Sequence, residues 1–156
     1  LTQVARISQM TQKTNQFNLT TKRYTEREIT ALIKEEGSTV ISINVQDKYG
    51  DNGLTGLAIL DNTQSMIGTL LLSCRVLGRN IEYQFMDVIV GIAKRNKFNK
   101  LSAAYIKTNK NQQVVDFYEK CGFIKLNESD GDSQYSLQVN SYNNQDIQYI
   151  GVKDGR

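Results

Sequence analysis

Apolar positions near the start of the chain are sparse and fall at helical spacing. Val4, Ile7 and Met10 recur at i, i+3 and i+6, which predicts an amphipathic helix over residues 4–15 with Thr2 near its N-cap. Phe17-Asn18-Leu19-Thr20 breaks that period. Thr25-Glu26-Arg27-Glu28 is a capping box ahead of Ile29, Leu32 and Ile33, so a second helix starts there and ends at Gly37. The period then changes. Thr39-Val40-Ile41-Ser42-Ile43-Asn44-Val45 is β-branched and partly alternating, which predicts a strand. Turn residues crowd residues 47–53. A second strand follows over 54–60, and a third over 65–73 whose continuous apolar run predicts burial on both faces.

Helical spacing returns after Gly78. Ile81, Phe85, Val88, Ile89 and Ile92 share one face of a helix that Asn80 can cap and that fades near Asn96. A short strand is expected over 101–106. A helix over 112–121 carries Val114, Val115 and Tyr118 and stops at Gly122. The segments 123–126 and 135–139 read as a hairpin around Asp130-Gly131-Asp132, and 147–152 as one further strand-like piece. The order α-α-β-β-β-α-β-α-β-β predicts a single α/β (α+β) domain with a mostly antiparallel sheet.

Composition narrows the chemistry. The 156 residues suit one domain. No apolar run approaches the ~20 residues that cross a bilayer, and Leu1-Thr2-Gln3-Val4-Ala5-Arg6 lacks the apolar stretch of a signal peptide, so a cytoplasmic protein with no membrane partner is expected. The net charge of +3 comes from scattered basic residues, which gives no nucleic-acid signature but suits a phosphorylated cofactor or an acidic carrier. The chain has no His, which removes His-based triads and the usual zinc sites, and Cys74 and Cys121 have no metal-ligand spacing. Proton transfer is left to Tyr, Asp, Glu, Cys, Lys or water. With no Pro, turns rest on Gly, Asn and Asp.

One loop carries candidate chemistry. The third strand runs into Cys74-Arg75-Val76-Leu77-Gly78-Arg79-Asn80 and then into a long helix. A helix N-terminus offers unpaired amides and a positive dipole end to a diphosphate. Gly78 permits close backbone approach, and Arg75 and Arg79 add donors. The same letters also describe a tight strand-to-helix turn with two solvated arginines.

Asn111-Gln112-Gln113-Val114-Val115-Asp116-Phe117-Tyr118-Glu119-Lys120-Cys121-Gly122-Phe123 resembles the late helix motif of the GNAT acyltransferase superfamily. It follows, by one helix and one strand, a loop in which Arg75 and Gly78 match that family's Arg/Gln-x-x-Gly-x-Gly/Ala pattern. Asn80 stands where Gly or Ala is usual. The resemblance implies a mixed, mostly antiparallel sheet flanked by helices. It also implies a first strand ahead of the first helix. None is visible here, so the chain is expected to start just inside the domain, or another segment fills the place.

Thr14-Asn15-Gln16-Phe17-Asn18-Leu19-Thr20, Tyr49-Gly50-Asp51-Asn52-Gly53 and Leu72-Ser73-Cys74-Arg75-Val76-Leu77-Gly78-Arg79 are similar to the C-terminal part of FkbH-like proteins. Those proteins join a HAD-type phosphatase domain to a GNAT-like domain and are associated with glyceryl units for methoxymalonyl-type polyketide extension. No Asp-x-Asp motif precedes residue 130, so the resemblance covers the C-terminal domain alone. It implies an upstream HAD-type domain and an acyl carrier protein as partners.

The family resemblance also implies a site. Pantetheine, as CoA, acyl-CoA or a phosphopantetheine thioester on a carrier, lies in a gap between splayed strands. Leu72, Ser73 and Cys74 border it; Arg75, Val76, Leu77, Gly78, Arg79 and Asn80 border the pyrophosphate; Asn111 caps the late helix nearby. Tyr118 protonates the leaving thiolate, against the plainer reading of a core aromatic. Cys74 invites an acyl-enzyme thioester, against a small buried hydrophobe, and Cys121 reads as core. Gln16, Asn18, Tyr49, Asp51 and Asn52 are expected to flank the acceptor cleft, with Asp47 or Glu82 as a base through water, against roles as turn and capping residues. No metal is expected. Three readings stay open: an acyltransferase-type domain, a non-catalytic docking module, and an ordinary N-acetyltransferase.

Overall fold

A computed structural model describes residues 3–155. Helix α1 spans Val4–Lys13 with Gln3 at its N-cap, and α2 spans Glu26–Lys34. Thr2, expected near the first cap, lies outside the described residues. The capping box at α2 forms reciprocally: the Glu28 amide donates to Thr25 Oγ1 at 3.2 Å, and the Thr25 amide donates to Glu28 Oε2 at 2.7 Å. The strands are β1 (Ser38–Asp47), β2 (Gly50–Asp61) and β3 (Met66–Leu72). Helix α3 (Ile81–Arg95) leads to β4 (Lys100–Tyr105), α4 (Phe117–Lys120), β5 (Ile124–Ser129) and β6 (Asp132–Gln138).

The six strands form one sheet in the order β1-β2-β3-β4-β6-β5. All neighbours are antiparallel except β3 and β4, whose parallel pairing is confined to Met66↔Ser102 and Ile67↔Ala103. Beyond those pairs the two strands part. No strand precedes α1 among the described residues.

Strands β2 and β3 are buried on both faces, as the continuous apolar run of β3 predicts. Leu57, Ile59 and Leu71 pack with Val4, Ile7 and Ile29 of α1 and α2. Ala58, Leu60, Leu70 and Leu72 pack on the opposite face with Phe85, Met86 and Ile89 of α3. The sheet is therefore sandwiched between α1/α2 and α3/α4.

Two expectations fail. The helix over 112–121 is broken into a 3-10 turn at Gln112–Val114 and the short α4, with Val115 and Asp116 between them. Adjacent β-branched valines are weak helix formers, and no side chain caps either piece. The stretch 147–152 forms no strand. It belongs to a tail laid along α3, with the Ile147 amide donating to Gln84 Oε1 at 3.3 Å. The tail's anchor is Asp87, buried on α3, which accepts from the Tyr142 hydroxyl (2.6 Å) and from the amides of Gln145 (2.8 Å) and Asp146 (3.0 Å). Asp87→Ala is expected to cost roughly 2–4 kcal/mol, because three charge-assisted bonds are lost and buried donors are stranded. Urea unfolding, with amide exchange at Gln145 and Asp146, measures it.

Candidate functional site

The loop after β3 is shaped by two residues in the left-handed region. Ser73 accepts the Arg75 amide, Cys74–Val76 makes one 3-10 turn, and the chain then turns at Gly78 (φ +82°) and Asn80 (φ +64°) into α3. Open space surrounds the position a Cβ would take at Gly78. The Asn80 carbonyl accepts the amides of Tyr83 and Gln84. The amides of Ile81 and Glu82 belong to the turn that a helix cannot satisfy internally.

A groove opens between this N-terminus and the α4 segment. Leu77, Gly78, Glu82 and Tyr83 line it from the α3 side, Gln113, Val114, Asp116, Phe117 and Lys120 from the α4 side, and Phe17 lines it as well. The rings of Phe17 and Phe117 meet edge-on at 5.0 Å, and Tyr83 lies 5.7 Å from Phe117.

Both arginines of the loop bind the protein itself. Arg75 donates to Ser73 Oγ (3.2 Å) and the Leu54 carbonyl (3.3 Å). Arg79 pairs with Asp47 at 2.8 Å and donates to the Arg75 carbonyl at 3.2 Å. The groove carries two carboxylates, Glu82 and Asp116, against Lys120, which sits 3.4 Å from Asp116. The Oε2 atom of Glu82 is buried without a partner. Asn80 does not cap α3 with its side chain. It donates to the Tyr149 hydroxyl at 2.8 Å, and that hydroxyl donates to the Arg79 carbonyl at 3.1 Å, so the tail clasps the loop.

The remaining loop residues scatter. Leu72 and Val76 are fully buried in the core, and Leu77 packs against it. The Ser73 amide is bound to the Thr55 carbonyl at 2.7 Å. Cys74 is exposed, with its thiol 3.4 Å from Gln16 Oε1, while Cys121 is buried and burial raises its pKa far above the ordinary range.

Residues 17–19 occupy the gap where β3 and β4 part. The Leu72 amide donates to the Phe17 carbonyl (3.0 Å) and the Leu19 amide to the Leu70 carbonyl (3.1 Å), an antiparallel bridge centred on Asn18 and Leu71. On the other side the Ile106 amide donates to the Leu19 carbonyl at 2.8 Å. Asn18 and Leu19 are fully buried, and Phe17 nearly so. Withdrawing the segment would return two large apolar side chains to water, roughly 1.5–3 kcal/mol each. The alternation of Phe17 and Leu19 was the sequence signal for this role, and Tyr149 had none.

Asn111 stands at the N-cap of the 3-10 turn, but its side chain does not cap it either. Its buried side chain accepts from the Thr108 amide (2.8 Å) and Tyr105 hydroxyl (3.0 Å) and donates to the Ile106 (2.9 Å) and Asn18 (3.0 Å) carbonyls. It therefore ties the gap-filling segment to the end of β4.

Tyr118 follows Phe117 of the groove wall. Its ring packs on Phe123 at 5.0 Å and Tyr135 at 5.5 Å, and among the described residues its hydroxyl has no hydrogen-bond partner. Burial raises its pKa well above the ordinary tyrosine value. The folded state thus keeps a proton that the unfolded chain gives up near pH ~10, so the stabilisation is complete below that pH and is lost progressively above it, as pH rises toward the raised folded-state value. Alkaline unfolding followed by circular dichroism is expected to begin there, and to shift upward in Tyr118→Phe.

The acceptor-side residues do not converge. Gln16 lies by Cys74, Asn18 is buried with its amide on the Thr14 carbonyl, Asp47 is paired with Arg79, and Tyr49, Asp51 and Asn52 sit at the tip of the β1–β2 hairpin. No cluster of His, Cys, Asp or Glu among the described residues could hold a metal ion.

Comparison with solved structures places this architecture. This is the GNAT acetyltransferase fold. The ribosomal-protein-S18-alanine N-acetyltransferase of Escherichia coli superposes with a TM-score of 0.65 at 11% identity, covering 88% of each chain. A Mycobacterium tuberculosis protein solved in complex with CoA gives 0.64 at 10% identity, covering 88% of this chain and 94% of that one. A Desulfovibrio desulfuricans protein assigned to the GNAT family gives 0.63 at 17% identity over 89% and 94%. No family model and no curated protein matches the chain. No helix among the described residues is long and apolar enough to cross a membrane.

Proposed function

We propose that this chain is an acyltransferase-type domain that takes a pantetheine thioester, on CoA or on an acyl carrier protein, in the groove between α3 and α4. The observation that carries this reading is Tyr118, whose ring lies 5.8 Å from Phe117 of the groove wall and whose hydroxyl, among the described residues, makes no hydrogen bond. A hydroxyl that makes no bond within the protein keeps its proton available to a ligand atom. The phosphate end of such a ligand fits Gly78 and the first turn of α3. Arg75 and Arg79 contribute by shaping the loop, since their guanidinium groups are engaged elsewhere.

A pantetheine thioester supplies an activated acyl group whose transfer leaves a thiolate. Tyr118 serves by donating its hydroxyl proton, and burial keeps that proton in place throughout the neutral range. The resemblance of residues 14–20, 49–53 and 72–79 to FkbH-like C-terminal domains supports glyceryl or related acyl loading for methoxymalonyl-type extension, with an upstream HAD-type domain as partner.

Calorimetric titration with CoA tests the reading. Saturable binding is expected, weakened at least about tenfold in Gly78→Glu, because a side chain at that left-handed position is strained and its carboxylate would join Glu82 in the groove. Unchanged binding in that variant would remove the loop from the site.

A second reading is a docking module that recognises a carrier without turnover. The self-bound arginines and the filled gap between β3 and β4 favour it. Binding of phosphopantetheinylated carrier without binding of CoA would select it.

A further inference from the structure

We infer that residues 17–19 are a built-in third strand that closes the gap between β3 and β4 to any ligand, so that a thioester in the groove is confined to the α3/α4 face with Phe17 as its stop. The inference rests on the groove reading above. The backbone edges that a strand-like ligand arm would need are already taken: Leu72 N–H and Leu70 C=O by Phe17 and Leu19 on one side, Ile106 N–H by Leu19 on the other. The Asn111 side chain fastens the same segment to the end of β4. The closure is inside the core, with Asn18 and Leu19 at zero exposure, so it is a wall and not a loop resting on the surface. Phe17 of the same segment lines the groove, its ring edge-on against Phe117. An acyl acceptor must therefore approach from the α3/α4 side. Cys74 does not line the groove, and a ligand bound there leaves its thiol open to reagents.

Residue-resolved amide exchange in the ligand-free domain tests the wall. The amides of Leu19, Leu72 and Ile106 are expected to exchange within about tenfold of those at the centre of the β2–β3 ladder, through global unfolding. Exchange faster than that means the segment opens locally and overturns the inference. CoA is then added to saturation, with binding verified by calorimetry. The three amides, and the rate at which iodoacetamide alkylates Cys74, are expected to stay within about twofold. Deprotection of Leu19, or a larger fall in Cys74 alkylation, places the ligand arm in the gap and also overturns it. Absence of CoA binding refutes the groove reading instead, and the ligand-free exchange alone then decides the wall.

Discussion

Asn111→Ala is expected to destabilise the domain by roughly 3–5 kcal/mol, because it strips partners from several buried groups at once. The Asn18 and Ile106 carbonyls lose a donor, and the Thr108 amide and Tyr105 hydroxyl lose an acceptor. Such a network costs more to break than its bonds contribute singly, since each orphan carries its own desolvation penalty. Asn111→Asp should fare little better, because it keeps the acceptors and loses both donors. Urea unfolding measures the loss, and the exchange of the Leu19 and Ile106 amides should accelerate along with it. A loss below about 1 kcal/mol would mean that water or a shifted backbone replaces the side chain, and Asn111 would not be the fastening of residues 17–19.

Tyr118→Phe is expected to lower acyl transfer about 100-fold or more, the usual scale for removing a positioned proton donor. CoA affinity should change by less than about threefold, because in the proposed role the hydroxyl acts on the leaving thiolate and not on the phosphates. Release of free thiol from an acyl-CoA in the presence of an acceptor reads the rate, and calorimetry reads the affinity. Stability separates this role from a packing one. The hydroxyl has no protein partner, so its removal should leave stability level or slightly raised, whereas loss of a satisfied core hydroxyl costs about 1 kcal/mol. A variant that transfers normally would return Tyr118 to the core as an ordinary aromatic and favour the docking reading.

These two residues show how much of the site could be read without coordinates. Tyr118 and Asn111 stand out in the sequence through the resemblance of residues 111–123 to the GNAT late-helix motif. Their surroundings do not. The resemblance implied that Asn111 caps the late helix, yet its side-chain partners include Asn18, far away along the chain. The loop at Gly78 was legible as a turn into a helix, since a left-handed glycine and a helical period are local properties. The direction of Arg75 and Arg79 was not, because Leu54 and Asp47 reach them from the β1–β2 hairpin.

The sequence by itself determined the element order, the capping box at Thr25 and Glu28, the stop at Gly122 and the two-sided burial of β3, because each follows from propensity and period over a few residues. Only the tertiary structure decided that the tail would lie along α3 on Asp87 and that residues 17–19 would fill the place between β3 and β4. Those outcomes depend on hydrogen bonds between segments tens of residues apart, which form only when the sheet has brought their partners into reach.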